Sequence, residues 1–121
     1  MLETKTVSEI INHLKSKDLS IKEVIEYYLN NIEKLNPKIN SIVSIKSKNK
    51  IIEEAEKKSN TKFCGLPIAV KDLSDVVGFY TTYGYPGTKN YSPSKNSLFV
   101  DKLLEAGITI IGKTNTAELG V

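Results

Sequence analysis

Apolar residues recur along this chain first at helical spacing and then as short continuous runs, and the change falls near Gly65. Val7, Ile10, Ile11 and Leu14 stand at i, i+3, i+4 and i+7, which is one face of an α-helix. Thr6 and Glu9 ahead of them form the S/T-x-x-E pattern of a capping box. A second box, Ser20 to Glu23, opens a longer helix whose stripe is Ile21, Val24, Ile25, Tyr28, Leu29, Ile32 and Leu35. The pair Asn36-Pro37 is expected to stop it, because proline disfavours the α conformation in the residue before it. His13 lies beside the first stripe and reads as a surface or boundary residue. Ile42-Val43-Ser44-Ile45 is a short β-prone run. Ile51, Ile52 and Ala55 then mark a third, weakly amphipathic helix ending near Lys58, and Ser59-Asn60-Thr61 form a turn.

From Gly65 the pattern differs. Leu66 to Val70 is apolar at consecutive positions, as in a buried strand covered on both faces, and it delivers Lys71-Asp72 at its C-terminal end. Sites in open α/β sheets tend to lie beyond that end of a strand. The Gly-, Thr-, Tyr- and Pro-rich stretch from Gly78 to Pro93 reads as irregular loop with a short strand near Thr81-Thr82. It holds Tyr80, Tyr83, Tyr85 and Tyr91, for which loop packing is the plain reading. Ser97 precedes a helix that contains Leu98, Val100, Leu103 and Leu104, with Gly107 placed as its C′ residue. Ile108 to Ile111 follows as a buried strand. Strand, crossover with helix, strand is a βαβ-like order and predicts a largely parallel sheet.

Composition narrows the function classes. With 121 residues, 40% apolar and 26% charged, the chain can pack one domain or a piece of one. Its formal charge of +3 arises from 17 basic and 14 acidic residues. Every basic residue is lysine, and the lysines are spread along amphipathic segments. Lacking guanidinium forks, the chain is not expected to read nucleic acid. One cysteine, Cys64, and one histidine, His13, are too few for an internal disulfide or a zinc site. Neither a leader nor a membrane-length apolar run is evident, so cytoplasmic residence is expected.

Gly107-Ile-Thr-Ile-Ile-Gly112-Lys113-Thr114 satisfies the phosphate-loop pattern G-x-x-x-x-G-K-[ST] letter for letter. A true phosphate loop follows a strand and needs a turn between its glycines whose N–H groups cradle phosphate. Here a helix precedes the first glycine and β-branched residues fill the interval, so strand is expected instead. Lys113 could still face a site at that strand's end, with Thr114 and Asn115.

An apolar strand ending in Lys-Asp is a way to hold an ammonium group partly out of water, and a desolvated lysine can serve as a base toward a hydroxyl nucleophile. Local context alone makes Lys71 a weak candidate. The wider wording strengthens it. Gly65-Leu-Pro-Ile-Ala-Val-Lys71-Asp72, Asp75-Val-Val-Gly78, Thr81-Thr82-Tyr-Gly84 and Glu105-Ala-Gly107-Ile-Thr-Ile-Ile-Gly112-Lys113-Thr114-Asn115-Thr-Ala-Glu118-Leu-Gly120 agree in order and spacing with the opening of the amidase signature core. The chain resembles the N-terminal portion of that family, strongly from about Gly65 to Val121 and more weakly before. Its Lys-Asp-Leu-Ser-Asp wording is nearer to general amidases than to the related A subunit of the glutamyl-tRNA(Gln) amidotransferase.

The resemblance implies an α/β fold, a mixed and largely parallel sheet covered by helices. It would be incomplete here, with residues 1–60 as a helical lead-in and 61–121 as the first part of the core. It also implies hydrolysis of carbon–nitrogen amide bonds by a Ser, cis-Ser, Lys triad in which Lys71 is the lysine. Both serines and the oxyanion hole would lie downstream of Val121, and neither Ser74 nor Ser97 sits in the Gly/Ser-rich setting the family's nucleophile occupies. The chain alone is therefore expected to be inactive. Asp72, Thr114, Asn115 and Thr116 are carried as candidate pocket residues, Asp72 more as a turn-holding carboxylate than as a proton-transfer group. No metal or cofactor is expected, and the expected partner is a small-molecule amide, with homo-oligomer formation left open. A non-catalytic truncated paralogue acting as a binding module is the alternative, with a nucleotide binder behind it.

Overall fold

The computed structural model describes residues 2–121. Helix α1 spans Val7–Ser16 and α2 spans Ile21–Ile39. Both begin on the expected reciprocal boxes: Thr6 and Ser20 accept from the amides of Glu9 and Glu23, whose carboxylates accept in return from the Thr6 and Ser20 amides. Two otherwise unpaired donors are thereby satisfied at each helix start.

Pro37 does not stop α2. The helix runs two residues beyond it and ends where Asn40 turns left-handed at φ 46°. A proline this close to the end removes one hydrogen bond, and the exposed carbonyl freed at Glu33 can take water. The reversal is made instead by the Asn36 side chain, which accepts from Ile42 N at 2.8 Å and donates to Ile42 O at 2.8 Å.

Strand β1, Ile42–Ile45, is followed by α3, Lys48–Glu56, then β2, Pro67–Lys71, then α4, Leu98–Glu105, and β3, Thr109–Thr114. The sheet order is β1-β3-β2, with β3 parallel to β2 and antiparallel to β1. The last strand in sequence is thus the central one. Its side chains alternate between two cores, as a pleated strand requires. Ile111 joins Ile10, Val24, Ile25, Ile51, Ala55 and Leu66 beneath α1, α2 and α3, while Ile110 joins Val70, Val76, Phe79 and Val100 on the side of α4.

Two expectations fail here. Strand β2 is an edge strand with only Val70 buried, so it is not covered on both faces; that description fits β3, buried from Thr109 through Lys113. No strand forms at Thr81-Thr82, because the loop's amides are taken by side-chain and isolated backbone acceptors rather than by a ladder.

Helix α4 ends as its sequence suggests. Gly107, at φ +92°, donates to Leu104 O at 3.0 Å and Ile108 donates to Leu103 O at 3.1 Å, the paired bonds of a Schellman motif. The residues between Gly107 and Gly112 are strand, so the phosphate-loop spelling encodes a helix stop and a buried β-strand, with no turn to cradle an anion.

Candidate active site

The C-terminal ends of the parallel pair β2 and β3 bring together Lys71, Asp72, Lys113 and Thr114. Lys71 stands opposite Thr114 in the register, and the Asp72 amide donates to Thr114 O at 3.0 Å. The peptide then turns sharply, with the Ser74 amide reaching back to Lys71 O at 3.1 Å.

Lys71 is exposed, contrary to the expectation that the strand would hold its ammonium out of water. It lies at the tip of an edge strand. The desolvated lysine is Lys113, 0% exposed, whose Nζ lies 3.1 Å from Oδ1 of Asp72, itself 2% exposed. Lys113 also donates to Thr81 Oγ1 at 3.2 Å and to Tyr80 O at 3.4 Å. An ammonium group has three protons, and here each has an acceptor. Asp72 in turn accepts from the Thr82 amide at 3.2 Å and from the Thr82 hydroxyl, while its carbonyl accepts from Tyr83 N at 3.1 Å. A charged group buried without such partners would be strongly unfavourable.

The neighbouring loops are stapled to this cluster. Tyr83 is left-handed at φ 55°, and its carbonyl accepts from Leu119 N at 2.7 Å. Gly84 follows at φ +65°, where an added Cβ would meet Thr116 O at 2.9 Å; only glycine lets the two loops approach so closely. Of the other residues singled out from sequence, Thr116 thus sits against Gly84. Asn115 turns toward the end of α2, donating to Asn40 O at 3.1 Å through its side chain and to Ser41 O at 2.8 Å through its amide. Ser97 Oγ is buried without a hydrogen-bond partner.

A pocket of about 730 Å³ lies between the α1–α2 turn and the Ser59–Cys64 turn, and a groove of about 270 Å³ runs between α2 and β2. Neither is lined by Lys71; buried charge and strand ends converge instead beside it, the kind of place where sites in α/β sheets tend to lie. Among the described residues no group of three or more His, Cys, Asp or Glu could hold a metal ion, and no helix is long and apolar enough to cross a membrane.

The mixed sheet flanked by helices agrees with what comparison with known proteins gives. The family model described as Amidase matches residues 23–121, and the chain belongs to that family. The A subunit of the glutamyl-tRNA(Gln) amidotransferase of Thermoanaerobacter pseudethanolicus is 32% identical over 99% of this chain and 26% of its own length. The substrate complex of 6-aminohexanoate cyclic dimer hydrolase superposes with a TM-score of 0.85 at 26% identity, over 95% of this chain and 24% of that one. A bacterial aryl acylamidase of the amidase signature family, at 24% identity and a TM-score of 0.83 over 95% of this chain and 26% of its own, shares the fold. The chain therefore spans about a quarter of the length of these relatives.

Proposed function

We propose that this chain supplies the lysine of an amide-hydrolysing enzyme, with Lys71 as the base of a Ser, cis-Ser, Lys triad whose serines belong to the part of the relatives beyond its span. The observation that carries the reading is the position of Lys71. It stands at the C-terminal end of a strand in a parallel pair, exposed, on a turn whose next residue is locked by a buried ion pair. In the assembled enzyme the nucleophilic serine would attack the amide carbonyl and pass its proton through the second serine to Lys71. The resulting acyl-enzyme would then be hydrolysed. The exposure of Lys71 in this chain fits a base whose cover comes from the rest of such an enzyme. Thr114 and Thr116, on the strand end and the loop beside it, would line the same pocket, and Asn115 would hold that loop against Asn40.

By this reading the 121-residue chain alone turns over no amide. Labelling by a fluorophosphonate probe is expected only when the Ser-bearing remainder is joined to it or co-expressed with it, and Lys71→Ala should then abolish labelling and amide turnover. Near-normal labelling of the Lys71→Ala protein would remove Lys71 from the triad. A second reading, favoured by the 32% identity to the A subunit of an amidotransferase, makes the same site part of an amidotransferase built from several chains. Co-purification with such further chains, and turnover only in their presence, would select it.

A further inference from the structure

The reading of Lys71 as base leaves a second lysine without a task, and Lys113 is the more unusual of the two. A lysine is seldom fully buried unless it is paired, and a buried ion pair is weak evidence for stability, since apolar residues of similar volume usually do as well. Its place in the fold points to a different use. Lys113 lies on the central strand, where burial and pairing with both neighbours fix its backbone. Its acceptors all come from the irregular segment that follows β2: Asp72, Tyr80 and Thr81. That segment has no ladder of its own. Its backbone reaches β3 through the Asp72 amide's bond to Thr114 O, and Val76 and Phe79 pack against Ile110. The Lys113 ammonium group adds the side-chain tie that gathers Asp72, Tyr80 and Thr81 onto the rigid sheet. Asp72 passes the constraint on, because the carboxylate that meets Lys113 also holds Thr82.

We propose that Lys113 and Asp72 are positioning residues: they form a clamp that fixes the Lys71 turn and the Thr81–Gly84 loop across it, so that Lys71 is presented in one geometry to the serine relay. The inference rests on the proposed role of Lys71. The clamp itself transfers no proton.

The wild-type chain offers a first test that needs no variant. The Thr82 and Tyr83 amides lie in an irregular loop yet donate to Asp72, so their hydrogen exchange is expected to be slower than in an unstructured peptide by at least about 100-fold. Exchange of both at the unstructured rate would overturn the clamp. The second test is the double substitution Asp72→Leu/Lys113→Met in the assembled, Ser-containing protein, compared with each single change. Removing one partner leaves a buried unpaired charge, so both single variants should unfold more easily than the double, in which an apolar pair replaces the ions.

If the pair is only structural, the double variant regains turnover along with its unfolding midpoint. If it positions Lys71, the midpoint recovers while kcat stays down by about 100-fold, with KM within about threefold of wild type. A kcat restored to wild type in a folded double variant overturns the proposal. Lys71→Ala separates this result from the parent reading. Turnover lost in Lys71→Ala but restored in the double variant removes the clamp and keeps the base. Turnover kept in Lys71→Ala and lost in the folded double variant removes the base, and with it the purpose assigned to the clamp.

Discussion

Gly107→Ala tests what the last glycine before β3 is for. In the structure it ends α4 in the left-handed region at φ +92°, where an alanine is disfavoured by roughly 1–2 kcal/mol. A second penalty is steric. An added Cβ would fall 1.7 Å from Thr61 Oγ1 and 2.3 Å from Thr61 Cβ. Thr61 cannot swing aside freely, because its hydroxyl donates to Lys58 O at 2.6 Å. Shifting the turn or giving up that bond costs roughly another 1–2 kcal/mol.

The sum is a loss of roughly 2–4 kcal/mol. With an unfolding entropy of about 2.1 cal/mol/K per residue, a 121-residue chain loses about 0.25 kcal/mol per degree. The melting temperature should therefore fall by roughly 8–16 °C. Urea and thermal unfolding followed by far-ultraviolet circular dichroism would measure it. Thr61→Ala in the Gly107→Ala background removes the overlap and leaves the dihedral penalty, so the cycle of four proteins should show a coupling of roughly 1–2 kcal/mol. A Gly107→Ala chain within about 0.5 kcal/mol of wild type would refute the helix-stop account. A full loss with no coupling to Thr61 would refute the steric half of it.

Other perturbations follow from single contacts. Thr109 Oγ1 is buried without a partner, so the isosteric Thr109→Val should raise stability by about 1 kcal/mol in urea titrations; a loss would mean that the hydroxyl is bonded after all. Ser20→Ala removes the cap of α2 and should lower stability by about 1 kcal/mol, whereas no change would make the box incidental. The carboxyls of Glu9 and Glu23 are held below the usual carboxylate range, first by the backbone amides of Thr6 and Ser20 and next by their hydroxyls. A lowered native value means that the unfolded chain takes up the proton first. Their contribution is thus complete above a pH of about 4.3 and disappears as pH falls through the native values. Glu9→Gln/Glu23→Gln should flatten the fall of the urea midpoint over that acidic range, and an unchanged slope would count against the boxes. Lys71→Ala, at an exposed position, should leave stability within about 0.5 kcal/mol of wild type by the same titration; a larger loss would give Lys71 a structural task.

What the sequence disclosed divides by distance along the chain. Capping boxes act between residues three apart, and a Schellman stop within one helical turn, so Thr6, Glu9, Ser20, Glu23 and Gly107 were readable directly. Pro37 misled because its penalty depends on how much helix follows and on whether solvent reaches the freed carbonyl. The exposure of Lys71 and the burial of Lys113 could not be read locally, since each depends on partners tens of residues away. A signal for Lys113 was nonetheless present. Ile108 to Ile111 is apolar without alternation, as in a strand buried on both faces, and Gly112 continues it, so the next side chain in line had to be buried or to end the strand. The loop after Asp72 was misread as partly strand because its β-prone threonines serve as hydrogen-bond partners of a carboxylate and an ammonium group.

The order of strands in the sheet also sets a schedule for synthesis. Among the described residues β1 and β2 do not pair with each other; each pairs with β3, which is made after both. At about 5–20 residues per second, the interval between the end of β2 at Lys71 and the end of β3 at Thr114 lasts roughly 2–9 s. Throughout that time both early strands carry bare edges on a nascent chain, the condition under which strands recruit the wrong neighbour. Codon-dependent slowing of translation between residues 72 and 108 should therefore increase aggregation, and faster decoding of the same stretch should reduce it.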